Sequence, residues 1–454
     1  MINILLSFIV CVFPAVGIQR LYEPTGELLM AFDVSSDLEH WWAISFHPDS
    51  GYRLIFDRKP QDWHENQIDE YDVVLSDDGA HVAYVVSYEG REMVVLDKVA
   101  ENEYDQVCDQ YERLLFSRDG QHLAYTAYND EHWVVVHDGK ASQDFDKVQS
   151  PTFSNDSKHW AFAGRRGERW SLILDGKVKA EHDYIEAVRF LPDGSLRYIA
   201  ADGEHWYLVR GTKKNAPCEE ISQTTVSQDG KHYAYAARTG EKWQAVHDGK
   251  AGKEYDNVKN LTLTPSGTHI AYAAGTGSWT YDGYFQYYRF DGSYTAVLDG
   301  RELLGGPEDY DVENFTFSQD ETHAAYTIGK IGEQEYVVVD TTAGPAYGGV
   351  VRLVYASAAD RIAYSVYQND SHYVIAGDQR FGFYDYVDDL DLSADGTHVI
   401  ATVQQGGKKF VMIDGKLQDP FDKITGLRWA PDRKSVGVIG IQDKALCRAV
   451  YAVQ

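Results

Sequence analysis

An all-β fold built from repeated four-stranded units is predicted by three features of the sequence. Long stretches recur, the composition favours short strands joined by tight turns, and Asp-Gly turn signals return at a nearly constant interval. The recurrence is plainest in GQHLAYTAYNDEHWVVVHDGKASQDFDKV (120–148), which comes back as GKHYAYAARTGEKWQAVHDGKAGKEYDNV (230–258). The composition carries 32 Tyr, 18 Phe and 10 Trp, with 39 Gly against 12 Pro. Aromatic residues suit a pleated surface, and Gly supplies the positive φ that two-residue hairpin turns require.

The marker of the repeat is a Ser or its substitute before a D-G-type turn, followed by a small and an aromatic residue. It occurs as LSDDGAHVAY, FSRDGQHLAY, FSNDSKHWAF, VSQDGKHYAY, LTPSGTHIAY, FSQDETHAAY and LSADGTHVIA, anchored at Ser76, Ser117, Ser154, Ser227, Thr264, Ser318 and Ser393. Weaker copies are FHPDSGYRLIF, FLPDGSLRY, YASAADRIAY and WAPDRKSVGV, which brings the number to eleven. Most anchors lie 36 to 38 residues apart; the exceptions are a short first interval, a 41-residue step to Ser117 and a 54-residue step to Ser318.

Each unit reads as four strands. An alternating segment precedes the anchor, and the turn leads to a second strand such as HLAYTA. A third strand such as WVVVHDG ends in another Asp-Gly, and an aromatic-Asp-x-aliphatic piece closes the unit (YDQV, FDKV, YDNV, YDYV, FDKI). Four strands in about 37 residues cannot bury both of their faces alone, so units must stack on their neighbours. The radial solution is a β-propeller. Eleven units suggest two adjacent propellers, residues 18–220 and 221–454, with a seam at 211–220 where the repeat weakens; one large ring is the alternative. Residues 30–41 are expected to complete a late blade.

The pattern resembles the TolB-type, WD-repeat-like propeller units of bacterial envelope proteins, in which an S-P-D-G hairpin joins the first two strands of each blade. The resemblance covers roughly residues 35–454. It departs from true WD repeats, which end a strand in Trp-Asp, and from the sialidase Asp-box, since Gly follows Asp directly in SRDGQH.

Charge and the N-terminus bound location and partners. A net charge of -28, with no run of Lys or Arg, opposes nucleic acid and anionic membrane surfaces. Residues 4–13 form an apolar run followed by small residues at 15–17, so residues 1–17 read as a signal peptide, although no Lys or Arg precedes the run. An exported chain, periplasmic or extracellular, is expected. No other segment stays apolar for 18 residues, so the mature chain should not span a membrane. Cys108, Cys218 and Cys447 are too scattered for a disulfide framework or a zinc knuckle, though one bridge is open.

Candidate chemistry is weighed against the repeat. His81, His122, His159, His232, His269, His323 and His398 all fall five residues after an anchor. Metal ligands must converge, whereas equivalent positions on successive blades spread around a ring, so these His read as structural and no metal or cofactor is expected. The recurring Asp residues read as turn chemistry. DDLDLSADG (388–396) fails calcium-loop spacing. Transferable catalytic motifs are absent.

One feature breaks the repeat. The 54-residue step holds about 17 extra residues within GTGSWTYDGYFQYYRFDGSY (275–294), between the second and third strands of its blade and hence on the face of the blade-to-blade connectors. Aromatic rings with polar tips serve protein and sugar recognition. Trp279, Tyr281, Asp282, Tyr284, Tyr287, Tyr288 and Asp291 are therefore the candidate ligand-binding residues, set against an extended hairpin whose rings pack on their own blade. The function expected is a non-enzymatic scaffold binding a protein or glycan partner through the loop face. The alternative is a lyase or glycosidase with its site in the central funnel.

Overall fold

A computed structural model describes residues 17–35, 39–108, 113–282, 287–307, 309–330, 332–430 and 433–453, with only the backbone of Asp282, Tyr287 and Tyr288. Eleven antiparallel sheets follow one another along the described residues, the first ten each of four strands in sequence order, with the first strand of two of them split into two short pieces. Blade 1 runs from Leu28–Val34 to Lys59–Pro60. Blade 7 comprises Asn257–Leu263, Ile270–Asp282, Tyr287–Leu298 and Arg301–Gly305. Blade 11 joins Lys423–Trp429, Ser435–Gln442 and Ala445–Ala452 to Gly17–Tyr22 from the other end of the chain. First strands of successive blades lie against one another, as Asn257–Leu263 does against Glu220–Val226, and so line the axis.

Of the two closures left open by the sequence, the structure adopts one ring of eleven blades. Every pair of neighbouring blades shares an apolar core. Across the weak stretch 211–220, Ile199, Leu208 and Cys218 of blade 5 pack with Ile221, Tyr233 and Tyr235 of blade 6, so no seam exists there. Blade 11 meets blade 1 through Ile439, Leu446 and Leu21 against Trp41, Ala43 and Ile55. The ring is latched by the antiparallel pairing of Gly17–Tyr22 with Ala445–Ala452.

Residues 30–41 do not complete a late blade. Met30 to Val34 belong to the first strand of blade 1 and Trp41 opens its second, and the Ser35 amide donates to the His40 carbonyl at 2.8 Å as Ser76 does to His81 and Ser117 to His122. The late blade is completed by Gly17–Tyr22 instead. FHPDSG is the turn between the second and third strands of blade 1, so the first true interval runs from Ser35 to Ser76. Overlapping turn signals in one short stretch shifted the register by one hairpin.

The anchor motif explains its own residues. Ser117 Oγ accepts the His122 amide at 3.0 Å and donates to Asp119 at 2.6 Å, and Asp119 accepts the Gln121 amide at 3.1 Å. The His122 ring faces Asp138 Oδ2 at 2.8 Å, while Asp138 Oδ1 accepts the Leu123 amide at 3.1 Å. The same His–Asp pairing recurs at His40, His81, His159, His232, His269, His323 and His398. A side-chain-to-backbone clip of this kind replaces hydrogen bonds the chain loses as it reverses. Asp138 and Gly139, with φ of 48° and 70°, make the tight turn into the fourth strand.

The aromatic-Asp piece ties blade to blade. Tyr104, Phe145, Tyr255, Tyr384 and Phe421 are buried between sheets. The following Asp reaches forward to a turn amide of the next blade, as Asp146 does to Gly167 at 2.7 Å and Asp385 to Gly406 at 2.8 Å. Asp105 also accepts from Arg91 of the preceding blade at 2.9 Å. Cys108, Cys218 and Cys447 are buried free thiols, so the disulfide left open by the sequence is not formed among them. The apolar run at 4–13 lies outside the described residues. Among the described residues no helix is long and apolar enough to cross a membrane.

Candidate functional site at the blade 7 hairpin

The inserted residues extend a hairpin already present in every blade. The second and third strands of blade 7 have 13 and 12 residues, against 7 and 6 in blade 6. Their pairing stays in register from Ala271–Leu298 out to Asp282–Tyr287. The two glycines Gly277 and Gly292 sit opposite each other, and a Cβ on Gly277 would lie 2.2 Å from the Asp291 carbonyl oxygen. The hairpin base stands on the connector face as expected: Gly277 donates to Asp256 at 3.0 Å and Trp279 Nε1 to the Asp256 carbonyl at 3.2 Å.

Its aromatic residues divide into two sets. Phe290 and Tyr294 pack downward, with ring centroids 5.2 Å apart; Tyr294 OH accepts from Asn257 at 2.6 Å, and burial pushes that phenol up to about 12. Trp279 touches Phe290 edge-on at 5.3 Å yet is 46% exposed, and Tyr281 is 54% exposed. Self-packing therefore describes Phe290 and Tyr294, while Trp279 and Tyr281 stay open to solvent. Tyr284 lies outside the described residues, as do the side chains of Asp282, Tyr287 and Tyr288.

Beneath the hairpin is a polar cleft of about 420 Å³, lined by Lys259, Arg289, Asp291, Tyr294, Asp311 and Lys330 among others. It adjoins a second hollow of about 330 Å³, with which it shares Asp309, Asp311 and Lys330, and which continues to Glu313 and Glu335 of blade 8. Cations and anions alternate: Lys259 bonds Asp311 at 2.5 Å and caps the Tyr294 ring at 4.2 Å, while Arg289 pairs with Asp291 at 2.8 Å. Arg289 and Lys330 remain substantially exposed. Glu313 is exposed to solvent, yet partial desolvation at the hollow, with Asp311 close by, raises its carboxyl.

Of the sequence candidates, Asp291 lines the cleft and Trp279 and Tyr281 stand exposed on the hairpin strands. Lys259, Arg289, Asp309, Asp311 and Lys330 were missed. The signal was present in GGPEDYDV, a connector longer than the usual aromatic-Asp link, which shows that the insertion enlarges the blade 7–8 junction as well as the hairpin.

No family model matches the chain, and no curated protein matches it in sequence. Among solved structures it is similar to a eukaryotic initiation factor, at 10% identity over 75% of this chain and 96% of that one, with a TM-score of 0.38. It is also similar to the dihydro-heme d1 dehydrogenase NirN in complex with DHE (10% identity, 89% and 77%, TM-score 0.34) and to the tricorn protease (12%, 87% and 46%, TM-score 0.30). These likenesses carry no functional assignment. The fold itself, a rigid ring holding loops on its faces, is suited to a scaffold or binding role.

Proposed function

We propose that the protein is an exported, non-enzymatic scaffold, akin to the TolB-type propellers its repeats resemble, that captures a protein or glycan partner through the blade 7 hairpin and the cleft below it. The observation that carries this reading is the exposure of Trp279 and Tyr281 beside a polar cleft of alternating charge, where the repeat is interrupted by its longest insertion. Exposed aromatic faces give contact area at small entropic cost, and satisfied polar groups at the cleft floor fix orientation. The apolar N-terminal run supports export.

The test is co-purification from the native envelope fraction with three baits: the wild type, a variant lacking residues 276–293, and Trp279→Ala/Tyr281→Ala. A specific partner held by the wild type and lost from both folded variants is the expected result. A partner held equally by all three overturns the site.

A second reading, a polysaccharide-active enzyme, draws on the Glu313 and Asp311 carboxyls, which line the same hollow and are the residue type that acid–base chemistry uses. Saccharide turnover abolished by Glu313→Gln would favour it over the scaffold.

A further inference from the structure

A second departure from the repeat lies on the opposite face of the ring from the hairpin. The third strand of a blade normally ends in an apolar residue before its Asp: Phe56, Leu96, Leu174, Leu298, Val339 and Ile413 precede Asp57, Asp97, Asp175, Asp299, Asp340 and Asp414. In blades 3 and 6 alone that residue is His137 or His247, within the two most similar repeats of the chain. Each brings a second imidazole to an existing His–Asp pair. In blade 3, Asp138 Oδ2 lies 2.8 Å from His122 Nδ1 and 3.7 Å from His137 Nδ1. In blade 6, Asp248 Oδ2 lies 2.6 Å from His232 Nδ1 and 3.8 Å from His247 Nε2. Within each triad the three donor atoms lie within 4.8 Å of one another.

We propose that these triads are two divalent transition-metal sites, each with two imidazoles and one carboxylate. A four-coordinate zinc ion bonded at about 2.0–2.2 Å holds its ligand atoms about 3.3 Å apart, between the short and long distances found here. Small rotations of the rings therefore suffice. The carboxylates are already oriented, because their Oδ1 atoms accept the backbone amides of Leu123 and Tyr233 at 3.1 and 3.0 Å. His137 is held by stacking on Trp160, with centroids 4.6 Å apart and planes 8° from parallel. All six side chains keep some solvent exposure, which leaves room for water to complete the coordination. Imidazole with carboxylate suits zinc, nickel or copper(II) and disfavours calcium and magnesium. The sites are not equal: His247 Nε2 also lies 2.9 Å from the Gly267 carbonyl, a hydrogen bond that metal must displace, so blade 6 binds more weakly.

The ring arrangement of His still excludes one shared site. It does not exclude a triad completed within a single blade.

Zinc titration calorimetry in millimolar calcium and magnesium tests this on wild type, His137→Leu, His247→Leu and the double variant. Leu is the residue sister blades carry at this position, and melting temperatures without metal check that folding is retained. The expected outcome is two zinc ions bound by wild type, one by each single variant and none at these sites in the double variant, with the tighter site lost in His137→Leu. Equal zinc uptake by wild type and a folded double variant, including none by either, overturns the proposal.

Discussion

The Asp in the anchor turn is held ionised by its neighbours. In blades 8 and 10, the hydroxyls of Ser318 and Ser393, with the backbone and hydroxyl of the following Thr, lower Asp320 and Asp395 to about 2. A carboxyl whose folded pKa lies below its unfolded value adds stability above the unfolded pKa and loses it as pH falls through the folded one. The window here is roughly pH 4 down to 2. Thermal melts across that range are expected to fall less steeply for Asp320→Asn/Asp395→Asn than for wild type; parallel curves would remove the turns from the acid limb. His323 has the opposite sign: its bond to Asp340 raises the imidazole, so that contribution is full in acid and fades as pH rises past the folded value. Glycine in the turn has a separate role. Gly267, at φ +78°, would place a Cβ 2.5 Å from the Ser227 side chain of the previous blade, whereas Gly176, at φ +73°, has nothing within 4 Å. Both substitutions to Ala incur about 1–2 kcal/mol of left-handed strain. Gly267→Ala is expected to lose at least about 1 kcal/mol more, read from urea midpoints. Equal losses would show that the turns do not press on one another.

At the scale of the element, the blade 7 hairpin is an addition to a complete blade. Its extra pairs extend beyond Gly275, while the core residues Ala273, Ala296 and Val312 lie below. Removal of residues 276–293 is therefore expected to leave the melting temperature within a few degrees of wild type. A collapse of the fold would mean that the hairpin, through Phe290, is part of the blade 7–8 core and not an addition to it. The insertion was legible because it broke a period. The cleft was not, since Lys259, Asp311 and Lys330 come from three separate segments whose approach depends on how blade 8 leans on blade 7. The His triads were equally hidden: fifteen residues separate His122 from His137. Only the antiparallel pairing of Ala124 with His137 brings them level.

For the whole molecule, closure rests on six residues. Gly17–Tyr22 covers the edge of Ala445–Ala452, buries Leu21, and places Gln19 within 3.0 Å of Arg448, which also reaches Glu39 of blade 1 at 3.0 Å. Lys423 of blade 11 adds a bond to the Met30 carbonyl at 3.1 Å. A chain starting at Glu23 would leave that edge bare, and an unpaired edge recruits other chains. It is expected to melt at lower temperature and to self-associate in sedimentation velocity; an unchanged monomer of equal stability would refute the latch.

What the chain's local pattern encodes is the blade: strand number, turn chemistry, the recurring His–Asp pairing and the repeat count. These follow from local periodicity and from residues that bond within about 40 positions of each other. It also showed where repetition failed. That eleven blades make one ring, that Ser35 is the first anchor and that the closing strand is Gly17–Tyr22 came from the folded chain alone. Those outcomes depend on pairing between opposite ends of the chain and on the tilt at each sheet interface, a small angle summed over eleven junctions that no single unit encodes.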